Sequence, residues 1–151
     1  MAVEGAALVT GGARRLGRAM VLALAGRGHD VAIHYDRSAA EAEATAAEAR
    51  ALGVRAAVFQ ADLLDEAATA ALVPRVTAEL GPLGVLVNNA SIFEYDTLAS
   101  ATRESWDRHV GSNLRAPFVL TQAFAAQLPE PPPVAGEPEA HGLVVNMVDQ
   151  R

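Results

Sequence analysis

A glycine-rich segment near the start of the chain is the first candidate for chemistry. Residues 10–17 read Thr-Gly-Gly-Ala-Arg-Arg-Leu-Gly and lie between a short apolar run and a stretch with apolar residues at helical spacing. A glycine turn between a strand and a helix lets a phosphate approach the backbone, and the helix N-terminus offers free N–H groups. The glycines do not follow the Gly-x-Gly-x-x-Gly spacing, so an ordinary strand–helix turn is the alternative interpretation.

Three arginines crowd the start of the helix that follows this turn. Arg14, Arg15 and Arg18 place positive charge at the end of a helix where each cation costs about 0.3–1 kcal/mol against the helix dipole. Their presence therefore indicates an anion bound at this end. The alternative is three solvated surface arginines, because exposed dipole effects are small and screened by salt.

A second candidate lies at the end of the second predicted strand, where residues 34–38 read His-Tyr-Asp-Arg-Ser. In dinucleotide-binding folds an acidic residue near this point bonds the ribose 2′-hydroxyl, whereas an arginine accommodates a 2′-phosphate. Arg37 and Ser38, together with Arg15, favour NADP(H) over NAD(H). Asp36 is a conflicting signal, and an ion pair between Arg37 and Asp36 is the alternative.

The elements that would position these residues alternate between strands and helices. Apolar strand runs without polar alternation are typical of a parallel sheet covered on both faces, so we predict a Rossmann-like, doubly wound α/β fold. A helix N-cap is expected at Asp65. The predicted strands are residues 6–9, 31–35, 54–59, 85–87 and 143–147. The predicted helices are residues 16–27, 39–52, 65–80 and 105–128, and the last of them is interrupted around residues 111–113. Residues 129–139 are predicted to form a proline-rich loop.

Composition excludes several classes of chemistry. All 12 basic residues are arginine, and the chain contains no cysteine. It therefore lacks a P-loop lysine, a Schiff-base nucleophile, a thiolate nucleophile, a cysteine metal site and disulfides, and no metal site is predicted. A net charge of −6 argues against nucleic acid as a partner. Without a membrane-spanning apolar run or a signal-peptide pattern, we expect a cytoplasmic protein.

These features resemble the short-chain dehydrogenase/reductase family once two further motifs are added. Asn88-Asn89-Ala90-Ser91 follows the fourth predicted strand, Asp62 follows the third, and Asn113 lies in the next helix, all in the family's order. The resemblance covers essentially the whole chain. It implies a cofactor site formed by Gly11, Arg15, Leu16, Gly17, His34, Tyr35, Arg37, Ser38, Asp62, Leu63, Asn89, Ala90 and Ser91.

Within that family the chain is most similar to pteridine reductases. They carry arginine at the turn's middle glycine, here Arg15, and aspartate where other members have the catalytic serine, here Asp149. The resemblance implies that Phe93 stacks on a pterin, that Arg15, Ser91 and Asp149 also contact it, and that Asp149 and Asn113 are catalytic. Taken alone, Phe93 could instead be a core residue and Asp149 a helix cap or loop residue.

The chain departs from the family in one respect. The family's Tyr-x-x-x-Lys motif is absent, because Tyr35 and Tyr95 are followed four residues later by alanine and there is no lysine. We therefore expect residues 1–151 to be the NADP-binding, N-terminal part of a longer single-domain reductase, with a fold incomplete at its C-terminus and no activity by itself. The family also implies a homo-oligomer, such as a tetramer. Two alternatives remain, a ketone or ketoacyl reductase and an inactive NADP-binding module.

Overall fold

The computed structural model describes residues 4–129 and 141–148, and over these residues five parallel strands form one sheet in the order β3-β2-β1-β4-β5. The elements are β1 (Ala6–Val9), α1 (Arg15–Ala25), β2 (Val31–Tyr35), α2 (Ala39–Ala51), β3 (Ala56–Gln60), α3 (Glu66–Leu80), β4 (Leu83–Asn88), α4 (Arg103–Val110), a π-helix (Gly111–Arg115), α5 (Ala116–Ala126) and β5 (Leu143–Asn146).

Helices cover both faces of the sheet, as the continuously apolar strands predict. On one face α3 and α5 contribute Leu72, Val76, Leu120 and Phe124 to a core with β1 and β4. On the other face α1 and α2 bury small residues, including alanines of α2 that have no exposed surface. The predicted doubly wound α/β fold is confirmed.

The strand order creates a crevice above the middle of the sheet. From β1 the chain proceeds to β2 and β3 on one side, and then crosses back to β4 and β5 on the other. Ligands of doubly wound sheets bind at the carboxyl ends of the strands at such a switch point. The segment after β1 and the segment after β4 are therefore neighbours there, and both carry sequence-predicted site residues.

Several local predictions can be compared directly with the structure. Asp65 caps α3, since its carboxylate accepts hydrogen bonds from the N–H groups of Ala67 and Ala68. The irregularity expected near residues 111–113 is the π-helix between α4 and α5. Beyond Pro129, the predicted proline-rich loop lies outside the described residues. Within the described part, no helix has both the length and the apolar character to cross a membrane.

Candidate functional site

The glycine turn after β1 has the tight geometry that its composition predicts. Gly11 has φ +63°, a conformation that favours glycine. A Cβ atom on Gly17 would lie 2.1 Å from the carbonyl oxygen of Gly11 and 2.7 Å from Nδ2 of Asn89. Gly17 therefore allows the first turn of α1 to rest directly on the glycine turn, and no larger residue fits there without a backbone shift.

Thr10 and Asn89 tie the glycine turn to the segment after β4. The hydroxyl of Thr10 accepts hydrogen bonds from the backbone N–H groups of Asn89 at 2.9 Å and Ala90 at 3.0 Å, and donates to the carbonyl of Val87 at 3.3 Å. Nδ2 of Asn89 donates to the carbonyls of Thr10 at 2.9 Å and Gly11 at 3.3 Å. The side-chain nitrogen of Asn89 thus holds the turn in place.

The ring of His34, which the resemblance assigns to the cofactor site, is bound by the protein itself. Its side chain is buried, with Nδ1 accepting a hydrogen bond from the N–H of Gly11 at 3.1 Å and Nε2 lying 3.0 Å from the carbonyl oxygen of Ala61. Burial lowers the pKa of His34 below its usual value, although the bond to Ala61 and the charge of Asp36 oppose this shift. Both ring nitrogens are occupied by the protein, so the ring supports the turn and offers no donor to a phosphate.

The three arginines at the start of α1 divide into two groups. Arg14 lies 3.6 Å from a carboxylate oxygen of Glu41, and Arg18 pairs with Glu48, both on α2. In the described part of the chain no carboxylate pairs with Arg15, which is exposed. Two of the three arginines thus have exposed ion-pair partners on α2, whereas a bound anion at this end stays a prediction.

Arg15 also adopts an unusual backbone conformation. Its φ is +51°, and it alone among the described non-glycine residues has a positive φ. This conformation costs roughly 1–2 kcal/mol for a residue with a Cβ atom. Backbone strain of this kind persists where the structure imposes it and is concentrated at functional sites. Leu16 follows it in the first turn of α1 with its side chain exposed.

The end of β2 is open to solvent. Nε of Arg37 lies 3.3 Å from Oδ2 of Asp36, so the alternative ion pair is present, but the Arg37 side chain is 90% exposed. Exposed pairs of this kind contribute little, and Arg37 can turn toward another anion at small cost. Ser38 precedes α2 and its hydroxyl makes no capping hydrogen bond, while Tyr35 is half-buried at the strand end.

After β3, Asp62 and Leu63 lie at the same edge of the sheet as the glycine turn. The carboxylate of Asp62 accepts a hydrogen bond from the N–H of Leu64 at 2.9 Å, which closes a local turn. Leu63 packs against the core beneath α3. A Cβ atom on Gly111 would lie 3.0 Å from Cδ2 of Leu64, so the π-helix packs closely against this turn.

The segment after β4 is held by the π-helix. Asn113 makes two hydrogen bonds to the backbone of Ile92, with Oδ1 accepting from its N–H at 2.9 Å and Nδ2 donating to its carbonyl at 2.8 Å. Ser91 is exposed, and Phe93 is 71% exposed, so Phe93 is not a core residue in this structure. Asn113 therefore fixes the backbone at Ile92, the residue between these two predicted substrate contacts.

Some residues near the site were not predicted from the sequence. Thr10 could have been found as the hydroxyl residue between a strand and a glycine turn. His109 binds the N–H of Glu94 through Nε2 at 3.0 Å and the carbonyl of Ser105 through Nδ1 at 2.7 Å, which no local pattern indicates. Asp149, predicted to be catalytic, lies outside the described residues. Within those residues no group of three His, Cys, Asp or Glu side chains could hold a metal ion.

The chain matches known proteins over most of its length. The sequence model of short chain dehydrogenases matches residues 5–148. The 3-oxoacyl-[acyl-carrier-protein] reductase FabG of Staphylococcus aureus is 36% identical over 128 residues, which are 85% of this chain and 52% of that protein.

Two solved structures similar to this chain are those of FolM alternative dihydrofolate reductase 1 from two Brucella species, each in complex with NADP. The Brucella canis protein is 42% identical with a TM-score of 0.80, over 86% of this chain and 51% of that one. The Brucella suis protein is 40% identical with a TM-score of 0.84, over 98% and 58%. The chain thus spans about half the length of the curated relatives it matches. By its sequence match and its fold, the chain belongs to the short chain dehydrogenase family.

Proposed function

We propose that this chain forms the cofactor-binding part of an NADPH-dependent reductase that transfers a hydride to a pterin-type substrate of the dihydropteridine or dihydrofolate class. The observation that carries the proposal is Arg15. Its guanidinium is exposed and has no carboxylate partner among the described residues, and its backbone is held at φ +51°. An unpaired cation on a strained backbone next to the glycine turn supports a role in binding an anion.

The residues around the crevice fit a dinucleotide phosphate. Gly17 leaves no room for a Cβ atom, and a Cβ on Gly11 would lie 3.2 Å from Nδ2 of Asn89. Such glycines let the backbone of the turn approach a pyrophosphate and the helix pack closely on the turn. At the end of β2, Arg37 and the uncapped hydroxyl of Ser38 supply donors for a 2′-phosphate. Bound NADPH would supply the hydride. Leu16, Tyr35, Asp62, Leu63, Asn89, Ala90 and Ser91 would complete the cofactor contacts.

The substrate side of the proposal rests on the segment that Asn113 holds. Phe93 is a large aromatic ring that is exposed on this segment, and an aromatic face suits a flat pterin ring. Ser91 and Arg15 would contact the polar edge of the pterin. Asp149 would orient the ring nitrogens and take part in proton delivery, since a carboxyl group can both accept and donate hydrogen bonds.

The relatives support two substrate classes. The Brucella neighbours are named as alternative dihydrofolate reductases, and the Staphylococcus aureus relative as a 3-oxoacyl reductase. A ketone or ketoacyl reductase is therefore the second candidate. We also propose that the protein is cytoplasmic and forms a homo-oligomer. Light scattering of the purified protein would measure its oligomeric state.

Steady-state NADPH oxidation by the protein as its gene encodes it would separate these candidates. The panel would contain dihydrobiopterin, dihydromonapterin, dihydrofolate and an acetoacetyl thioester. We expect turnover with a pterin and a loss of about tenfold or more in kcat for Asp149→Ser. Pterin turnover unaffected by Asp149→Ser, with faster reduction of the thioester, would favour the ketoacyl reductase. NADPH binding without any turnover would favour an inactive binding module.

A further inference from the structure

The buried ring of His34 joins two parts of the candidate cofactor site. It lies between the glycine turn after β1 and the end of β3, and bonds Gly11 on one side and Ala61, the residue before Asp62, on the other. The backbone carbonyl of His34 also accepts a hydrogen bond from the N–H of Gly12 at 3.0 Å. The N–H groups of both glycines are therefore directed inward, toward a single residue of β2.

These contacts specify the protonation state of the ring. A backbone N–H can only donate, so Nδ1 of His34 must carry a lone pair to accept from Gly11. Nε2 must then carry the proton, because the carbonyl of Ala61 can only accept. In the doubly protonated ring, Nδ1–H would face the N–H of Gly11, and two donors would be opposed in a site where His34 is 2% exposed.

The charges around the ring do not provide a partner for a second proton on Nδ1. Asp36, at the end of β2, favours the protonated ring, whereas Arg75 of α3 opposes it. The glycine turn and the end of β3 present only backbone groups to the ring nitrogens. Burial is the largest influence and keeps the pKa of His34 below its usual value.

We infer that His34 is a positioning residue, which in its neutral, Nε2-protonated form holds the glycine turn against the end of β3, and that protonation of Nδ1 releases the turn and weakens cofactor binding. This inference rests on the proposed binding of NADP(H) at the turn. It gives the protein a cofactor affinity that falls at acidic pH, with the change located in one hydrogen bond between Gly11 and His34.

Three substitutions at His34 separate the two hydrogen bonds of the ring. In His34→Asn, Oδ1 can take the place of Nδ1 and accept from Gly11, while the bond to Ala61 is lost. In His34→Gln, the amide nitrogen can take the place of Nε2 and donate to Ala61, while Gly11 loses its acceptor. His34→Leu removes both bonds. His29→Gln is the matched control, because Nδ1 of His29 also contacts a backbone carbonyl, that of Gly5, at the other end of the sheet.

The dissociation constant of NADP⁺ would be measured by calorimetry on the intact protein between pH 8 and pH 5. At pH 8 we expect His34→Asn to retain most of the affinity, and His34→Gln and His34→Leu to lose about tenfold or more, since an unpaired buried N–H is costly. Below the lowered pKa of His34 the wild type should weaken by up to about tenfold per pH unit more than His34→Asn, which cannot titrate. The phosphate of NADP⁺ itself titrates in this pH range, but it does so equally with both proteins, so its effect cancels when the two are compared.

Opposite results would overturn the inference. One is that His34→Gln binds NADP⁺ as tightly as the wild type while His34→Asn binds it weakly. The other is that the dissociation constant of NADP⁺ changes with pH in the same way in the wild type and in His34→Asn. Nitrogen NMR of the imidazole gives a readout that needs no cofactor, and a proton on Nδ1 at pH 8 would also refute the inference. Failure of the wild type to bind NADP⁺ at any pH would instead refute the proposed function, while the NMR result on His34 would stand.

Discussion

Replacement of Gly17 by alanine would have two opposing effects on stability, a gain in helix propensity and a steric clash of the added Cβ atom. Gly17 lies within α1, where alanine is favoured over glycine by about 1 kcal/mol, so helix propensity alone predicts a more stable protein. The added Cβ atom, however, would lie 2.1 Å from the carbonyl oxygen of Gly11 and 2.7 Å from Nδ2 of Asn89. Real Cβ contacts essentially never fall below 3.0 Å. The glycine turn would therefore have to retreat by about 1 Å.

The size of the effect follows from what must move. Overpacking of this kind costs about 1–3 kcal/mol. Displacement of the turn also strains the bonds from Asn89 to the carbonyls of Thr10 and Gly11, each contributing about 1 kcal/mol. Against the gain from propensity, we expect a net loss of about 2–4 kcal/mol in the free energy of unfolding of Gly17→Ala, and a loss of NADP⁺ binding.

Urea denaturation and calorimetric titration with NADP⁺ would measure both quantities. Gly26→Ala is the matched control at the other end of α1, where φ is −65° and the nearest atom to a new Cβ would be 3.3 Å away. We expect it to change stability by less than about 1 kcal/mol and to leave binding intact. If Gly17→Ala were as stable as the wild type, the close approach of the helix to the turn could not be the reason for this glycine.

Four further outcomes are expected. In urea titrations, the free energy of unfolding should be constant above about pH 6.5 and should fall by up to about 1.4 kcal/mol per pH unit below it. The reason is that the pKa of His34 is lowered in the folded protein and returns to its usual value on unfolding, so the unfolded chain takes up a proton more readily. Arg15→Gly should raise the melting temperature, since glycine adopts φ +51° without strain, and should lower pterin turnover. Asn113→Ala should lower kcat more than it raises KM, and destabilise the protein by about 1 kcal/mol, through its lost bonds to Ile92. Glu48→Gln should cost less than about 1 kcal/mol in urea, because its pair with Arg18 is exposed.

The fold was predictable because its signals are local. Apolar runs without alternation mark buried parallel strands, and the expected N-cap at Asp65 needed only the residues next to it. The position of the glycine turn followed in the same way from a strand, two glycines and a helix. Once the strand order is known, the meeting of this turn with the segment after β4 follows from topology alone.

The details of the site were less predictable because they depend on contacts between distant residues. His34 bonds residues 23 and 27 positions away, and nothing near it in the sequence distinguishes a buried bridge from a ligand contact. The pairing of Arg18 with Glu48 depends on how α1 packs against α2, which a reading of one helix cannot supply. The conformation of Arg15 is likewise imposed by its surroundings, since arginine itself disfavours a positive φ.

The π-helix has a consequence for how one helical segment serves two purposes. A π-turn inserts one residue relative to an α-helix, and each residue of an α-helix turns by about 100°. The extra residue therefore rotates α4 relative to α5, so α5 buries Leu120 and Phe124 against the sheet while α4 directs His109 toward the segment after β4. Deletion of one residue in this stretch would leave both halves helical, yet only one of them could face its target. The extra residue thus sets the rotation of α4, which contacts the segment after β4, relative to α5, which packs on the sheet.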